Sequence, residues 1–389
     1  MKKLIQFGAG NIGRGFIAQL FTESRYEVVF VDIDKKIIDA LNKEKKYTLE
    51  ILGKKNKKIS ITNVRAVNGT DIDVVAGEIQ NADIIATAVG VNVIKSVCPA
   101  IAEGIRYRAE NKIELPVNII ICENLLSAGK ILKEYIKSLL EKKYIGYLDK
   151  YVGFVETVIG RMIPVLPDTI KKKDLLYVKA EEYSILPVAK KGFKGEIPDV
   201  KNMIACDNFK FYEERKLFIH NLGHAVCAFL GYFKKYKYVW EAIADKNIIS
   251  VTKKAMNESG DALRKKYNLT KKEIDEYIND LLVRFSNKNL GDTIVRLARD
   301  PIRKLGKNDR LIGSAKLALK YGVKPENISL AIAAALHYNY EKDEHAVKLA
   351  KIIKTYGVQY VLTNISKLKS KEILTKMIIE KYNKKGDVL

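Results

Sequence analysis

Residues 4–16 read LIQFGAGNIGRGF, and this stretch constrains the fold more tightly than any other part of the 389-residue chain. Residues 4–7 form a short apolar run of strand type, and apolar positions in 12–23 recur at helical spacing. Gly8, Gly10 and Gly13 thus set a G-x-G-x-x-G pattern at a strand-to-helix junction. Gly8 permits the tight turn, Gly10 lets backbone approach a pyrophosphate, and Gly13 allows the helix to pack closely on the strand. The helix N-terminus adds unpaired N–H groups and the positive end of its dipole. A second strand, 28–32, ends in Asp32, close to the spacing of about 20 residues expected for an acid that binds a ribose hydroxyl. Its carboxylate would repel a 2′-phosphate, which selects NAD over NADP. The expected cofactor-lining residues are Gly8, Ala9, Gly10, Asn11, Ile12, Gly13 and Asp32.

The rest of the first half continues the alternation. Strand-like runs at 84–88 and 117–122 are interleaved with helical patterns at 35–45, 94–106 and 125–140. Such alternation predicts a Rossmann-type α/β domain with a mostly parallel sheet, which β-rich pieces around 151–158 and 175–178 would extend. The segment AKKGFKGEIPD at 189–199 reads as a connection. Beyond it the patterns are helical, at 209–230, 239–253, 271–284, 312–321, 328–338, 344–356 and 369–382. The expected division is a dinucleotide-binding domain over 1–190 and an all-helical substrate and catalytic domain over 191–389.

The formal net charge of +23 raises the question of a nucleic-acid partner. Acids are interleaved with the basic residues throughout, only 13 of the 69 basic residues are Arg, and no nucleic-acid motif is present. That is the pattern of a solvated surface, with a positive field that helps collect anionic substrates. No apolar run approaches the roughly 18 residues of a membrane span. Cys98, Cys122, Cys206 and Cys227 are scattered without metal-like spacing, consistent with a reducing cytoplasm. The sequence does not choose between a monomer and a small homo-oligomer.

A second chemical site lies in FYEERKLFIHNLGHAVCAFLGY, residues 211–232. At about 100° per residue, Glu213 stands roughly 60° from Lys216, in the direction that also holds His224 (about 80°) and Asn221 (about 140°). Hydride transfer without a metal needs a group to take the alcohol proton and donors to hold the oxyanion. A lysine with a lowered pKa serves as base, and Asn and His serve as donors. His220 falls in the same arc, and periodicity does not choose between it and His224.

The opening FGAGNIGRGF, CEN at 122–124, ERKLFIHNLGHA at 214–225 and RDPIRKLGKNDRLIG at 299–313 together resemble the polyol-specific long-chain dehydrogenases, the mannitol dehydrogenase family. The likeness spans most of the chain and includes the signature K-x4-N-x2-H. It implies Lys216 as general base, and Asn221 and His224, not His220, as oxyanion donors. It also implies Glu213 on a proton path to solvent and Asn124 against substrate and nicotinamide, with no metal. The opening and CEN look most like the branch acting on sugar phosphates, so the implied reaction interconverts D-mannitol 1-phosphate and D-fructose 6-phosphate with NAD. A mannitol 2-dehydrogenase, a hexuronate reductase and a non-catalytic NAD sensor are the alternatives. One departure stands out: the run Gly160-Arg161-Met162-Ile163-Pro164 has Gly where many members carry Asp.

Arginine is scarce, yet Arg296, Arg299, Arg303 and Arg310 fall within fifteen residues, with Lys304 and Lys307 among them. Guanidinium forks suit a phosphate. The competing use is ion pairing to Asp292, Asp300 and Asp309. Relatives acting on unphosphorylated polyols carry a substrate-binding basic motif most like Arg303-Lys304, so these two, with Arg161, are the expected substrate contacts beside Asn124.

Overall fold

The computed structural model describes residues 1–125 and 127–384. Contacts divide the chain into two compact units, Met1–Phe209 and Lys210–Leu389.

The first unit contains eleven strands among its described residues: β1 (Lys2–Phe7), β2 (Tyr26–Asp32), β3 (Lys46–Leu52), β4 (Lys57–Thr62), β5 (Val64–Asn68) and β6 (Ile84–Thr87). They continue with β7 (Val117–Ile121), β8 (Val152–Glu156), β9 (Val178–Glu181), β10 (Leu186–Ala189) and β11 (Met203–Cys206). Six form one parallel sheet in the order β5-β2-β1-β6-β7-β8. Strand β1 is central, and the order reverses between β1 and β6, the switch point where α/β sheets bind ligands at their carboxyl ends. Alternate residues feed opposite cores: Leu4, Val28 and Phe30 pack on one face, and Ile5, Val29 and Val31 on the other. A parallel sheet covered on both faces has this continuously apolar strand pattern.

Two expectations change. The run at 175–178 does not extend the large sheet: the strand is Val178–Glu181, and it pairs with β3 in a separate sheet ordered β4-β3-β9. The division expected at 190/191 falls at 209/210, because β10 and β11 pair parallel with each other and stay with the first unit. The expected helix 125–140 includes Leu126, outside the described residues; the observed helix is Ala128–Leu139.

The second unit is helical among its described residues. The longest helices are Lys246–Tyr267 and Lys271–Phe285, and the helical run Glu344–Asn364 is broken by a kink at Gly357, where φ is +80°. Helix Lys271–Phe285 begins in a capping box between Thr270 and Glu273. Where the pattern at 239–253 suggested one helix, two meet at Asp245, whose carboxylate accepts from the N–H groups of Asn247 and Ile248 and starts the second. Among the described residues no helix is long and apolar enough to cross a membrane.

Candidate active site

In the first unit the glycine loop follows β1. Gly8 has φ +91°, and a Cβ there would lie 2.5 Å from the Ala88 carbonyl oxygen. A Cβ on Gly13 would overlap the Gly8 carbonyl oxygen. Gly10 is exposed, with no atom within 4 Å of the position its Cβ would take. Two glycines are thus required by the protein itself, and the third leaves open space. Ala9 is buried, while Asn11 and Ile12 are partly buried at the helix start.

Asp32 closes β2 and ties to this loop. Its Oδ2 accepts from the Ala9 N–H at 2.7 Å, and its Oδ1 accepts from Ile33 and Asp34 N–H at 2.8 and 3.0 Å. A carboxylate offers about four acceptor positions, so one remains for a ligand hydroxyl. Two fasteners were not read from the sequence. Arg14 reaches the carbonyls of Ala9 (2.6 Å) and Leu176 (2.7 Å), holding the loop from its other side. Glu123, the middle residue of CEN, accepts from Val89 and Gly90 N–H at 2.8 and 2.9 Å and fixes the turn beyond β6. Asn124 follows it and is exposed.

Arg161 is placed differently from the expected substrate contact. Only 4% exposed, it donates to the Glu181 carbonyl (2.8 Å), the Gly15 carbonyl (3.0 Å) and Gln19 Oε1 (2.7 Å). Its guanidinium lies over the Phe16 ring. The fork braces the protein's own backbone. At Gly160 a Cβ would stand 3.2 Å from the Tyr183 ring, so that ring crowds the position where the family resemblance implies Asp.

In the second unit the signature helix is interrupted at the signature itself. Helix Phe209–Arg215 leads into a π turn at Lys216–His220, closed by the Asn221 N–H on the Lys216 carbonyl, and helix Asn221–Phe233 continues from it. A π turn contains one residue more than an α turn. Beyond it Asn221 and His224 therefore take the places of i+4 and i+7 from Lys216, where a regular helix has i+5 and i+8. Positions i, i+4 and i+7 share one face. The extra residue gathers the three side chains that a regular helix spreads over about 140°.

The electrostatics of that face are set by burial. Desolvation, aided by the charge of Arg310, pushes the Lys216 amine down to about 8. His220 and His224 are held well below 6.5, first by burial and then by cationic neighbours that include Arg284, Arg310 and Lys216. The His224 ring stacks on Phe285 with centroids 4.0 Å apart, and its Nε2 is buried without a hydrogen-bond partner. Glu213 lies one turn before Lys216 and pairs at 3.3 Å with Lys210. A neutral amine beside neutral donors can accept a proton and stabilise an oxyanion.

The arginine cluster meets the aspartates weighed against it. Arg296 pairs with Asp292, Arg303 with Asp300 at 3.0 Å, and Arg310 with Asp309 at 2.8 Å. Arg303 keeps half of its side chain exposed. Lys304 is buried with its Nζ on the Arg299 carbonyl, and burial, with Arg310 and Arg303 nearby, pushes it down to about 7.

A Rossmann sheet with this loop defines a dinucleotide-binding unit, and the helical unit carries a lysine whose pKa is lowered by burial. Residues 2–202 match the mannitol dehydrogenase Rossmann domain, and residues 208–385 match the mannitol dehydrogenase C-terminal domain. The chain belongs to the mannitol dehydrogenase family. It is 38% identical over 382 residues to the mannitol-1-phosphate 5-dehydrogenase of Buchnera aphidicola subsp. Schizaphis graminum, covering 98% of each chain. It is also 38% identical to the mannitol-1-phosphate 5-dehydrogenase of Thermoanaerobacter pseudethanolicus, over 98% of this chain and 97% of the relative. Among solved structures, the Pseudomonas fluorescens mannitol 2-dehydrogenase in ternary complex with NAD and D-mannitol shares the fold. Its TM-score is 0.77 at 16% identity, over 99% of this chain and 92% of that one.

Proposed function

We propose that this chain is an NAD-dependent dehydrogenase that interconverts D-mannitol 1-phosphate and D-fructose 6-phosphate. The observation that carries the reading is the π turn at Lys216–His220, whose added residue would turn Lys216, Asn221 and His224 toward one face. It is supported by full-length similarity to mannitol-1-phosphate 5-dehydrogenases. The glycine loop fits a dinucleotide: Gly10 leaves room for a pyrophosphate, and Asp32 keeps an acceptor for a ribose hydroxyl.

Bound NAD supplies the hydride acceptor for oxidation, and NADH the donor for reduction. In oxidation the neutral Lys216 amine takes the hydroxyl proton as the carbon-bound hydrogen leaves as hydride. In reduction the same group, as ammonium, returns the proton. Asn221 and His224 donate to the oxygen as it gains charge, and neutral imidazole suits this role because it donates without competing for the proton. Glu213, one turn away, passes the proton toward solvent. Asn124 orients substrate and nicotinamide. Arg303 is the first candidate for the phosphate, since its half-exposed fork can exchange Asp300 for a dianion, with Lys304 beside it.

Following NADH absorbance with fructose 6-phosphate, fructose, fructuronate and tagaturonate tests the reading. Turnover should be fastest with fructose 6-phosphate and should favour NADH over NADPH. A preference for unphosphorylated fructose or a hexuronate overturns the substrate assignment.

A further inference from the structure

The proposed mechanism makes no use of His220, the second histidine of the signature helix. The residue is 4% exposed and ends the π turn that begins at Lys216. Its ring centroid is 4.8 Å from that of His224 and 5.7 Å from that of Phe285. Its Nδ1 is buried with no hydrogen-bond partner, and so is Nε2 of the adjacent His224. An unpaired buried polar atom costs stability that a leucine or phenylalanine in the same space would not. Two such atoms lie on neighbouring rings of the helix that carries Lys216, and each keeps a hydrogen-bonding position that a ligand group can fill.

The chemistry of that ligand group follows from the surroundings. Burial, the charges of Arg284, Lys216 and Arg310, and the neighbouring His224 ring all oppose an imidazolium at His220. A neutral imidazole carries one donor and one acceptor nitrogen, so its open nitrogen matches a hydroxyl, which gives or accepts as the tautomer requires. We propose that His220 is a further substrate-contacting residue, whose Nδ1 bonds a sugar hydroxyl next to the reacting carbon while His224 Nε2 serves the reacting oxygen. This inference rests on the reading of the chain as a polyol-phosphate dehydrogenase. It makes His220 a specificity determinant, because a substrate lacking that hydroxyl leaves the nitrogen unpaired.

Two variants test it. His220→Leu keeps an apolar group of similar bulk, and His220→Phe keeps an aromatic ring against Phe285; both remove the nitrogen. Steady-state kinetics with NADH would compare fructose 6-phosphate with its 1-deoxy and 3-deoxy analogues. Each folded variant should raise KM for fructose 6-phosphate about tenfold, as expected for one lost hydrogen bond, with kcat and the KM for NADH little changed. The penalty should vanish for one of the two deoxy analogues, and His220→Gln should recover part of the loss. Unchanged KM in either folded variant overturns the assignment, as does an equal loss on all three substrates, which is the mark of a packing residue. A wild-type chain that does not turn over fructose 6-phosphate overturns the function reading and this inference with it. An active wild type with unaffected variants overturns this inference alone.

Discussion

Replacing Lys216 with methionine separates a catalytic amine from a buried structural one. Burial and Arg310 bring its pKa from 10.5 to about 8. At pH 7.5 roughly a quarter of such amines are neutral, against roughly one in a thousand for a solvated lysine. The environment thus raises the population of the base about two hundredfold. For polyol phosphate oxidation, kcat/KM should rise with pH up to about 8 and then level. For reduction, where the ammonium is the proton donor, it should be level below about 8 and fall above it. Lys216→Met should remove both limbs and lower kcat by about 10²–10⁴, with further loss if the ammonium also steadies the oxyanion. The sign of the stability effect is opposite to that on activity. Between about 8 and 10.5 the unfolded chain binds a proton that the folded chain does not, so stability rises with pH across that window. Below it the folded state bears the whole penalty. Lys216→Met, which keeps the volume and drops the charge, should therefore melt at or above the wild-type temperature at pH 7, with its advantage shrinking toward pH 10. Paired NADH absorbance profiles and melting curves make the measurement. A folded Lys216→Met enzyme with near-normal kcat, or wild-type limbs at the ordinary lysine value, would refute the base assignment.

Gly10→Ala should fold normally, since its methyl meets nothing within 4 Å, yet raise the KM for NADH. Gly13→Ala, whose methyl would overlap the Gly8 carbonyl, should cost about 1–3 kcal/mol in a denaturation curve. Asp32→Ala should narrow the preference for NADH over NADPH and lose about 1 kcal/mol with its bond to Ala9; a wild type that uses NADPH equally well removes Asp32 from the ribose. Arg303→Ala should lower kcat/KM for fructose 6-phosphate roughly ten- to hundredfold while sparing residual fructose reduction. If Arg303 serves only Asp300, a half-exposed pair worth less than about 1 kcal/mol, the melting temperature falls slightly and the sugar ratio is unchanged.

The centre of the large sheet was legible because its strands are buried on both faces. The runs at 4–7, 28–32, 84–88 and 117–122 are short, apolar and bounded by turn residues, and each is a strand or nearly so. The hairpin β3–β4 was missed for the opposite reason: its apolar residues, Tyr47, Leu49, Ile51, Ile59 and Ile61, alternate with polar ones and form no continuous run. Strand β9 was nearly found but given the wrong neighbours, since a short apolar run does not encode its pairing partner. The signature helix shows the same limit in angular form. A constant 100° per residue cannot register the added residue of a π turn, so it left Asn221 far around the helix from Lys216. The polar residue types and their broad common face were visible in the periodicity; the narrowing of that face by the added residue was not.

Arginine teaches a related lesson about scarcity. Arg14, Arg108, Arg161 and Arg284 are buried, four of only 13, whereas among the described residues of 56 lysines Lys304 alone is as fully enclosed, with Lys216 partly buried at the residue level and desolvated at its amine. Three of those arginines share a task that a lysine performs poorly. Arg14, Arg108 and Arg161 each spread one fork over two or more backbone carbonyls, joining segments far apart in sequence. A planar, weakly hydrated guanidinium does this at lower desolvation cost than a compact ammonium. In a chain that otherwise chooses lysine, an arginine therefore marks either a carbonyl brace or an anion site, and composition alone does not separate them. Exposure does. Arg161 is enclosed by the carbonyls it serves, while Arg303 rests against one aspartate with half of its side chain free. Only the second arrangement lets an incoming phosphate replace a protein partner without leaving buried carbonyls unpaired. That asymmetry makes Arg303 the first arginine to mutate in the search for the phosphate site.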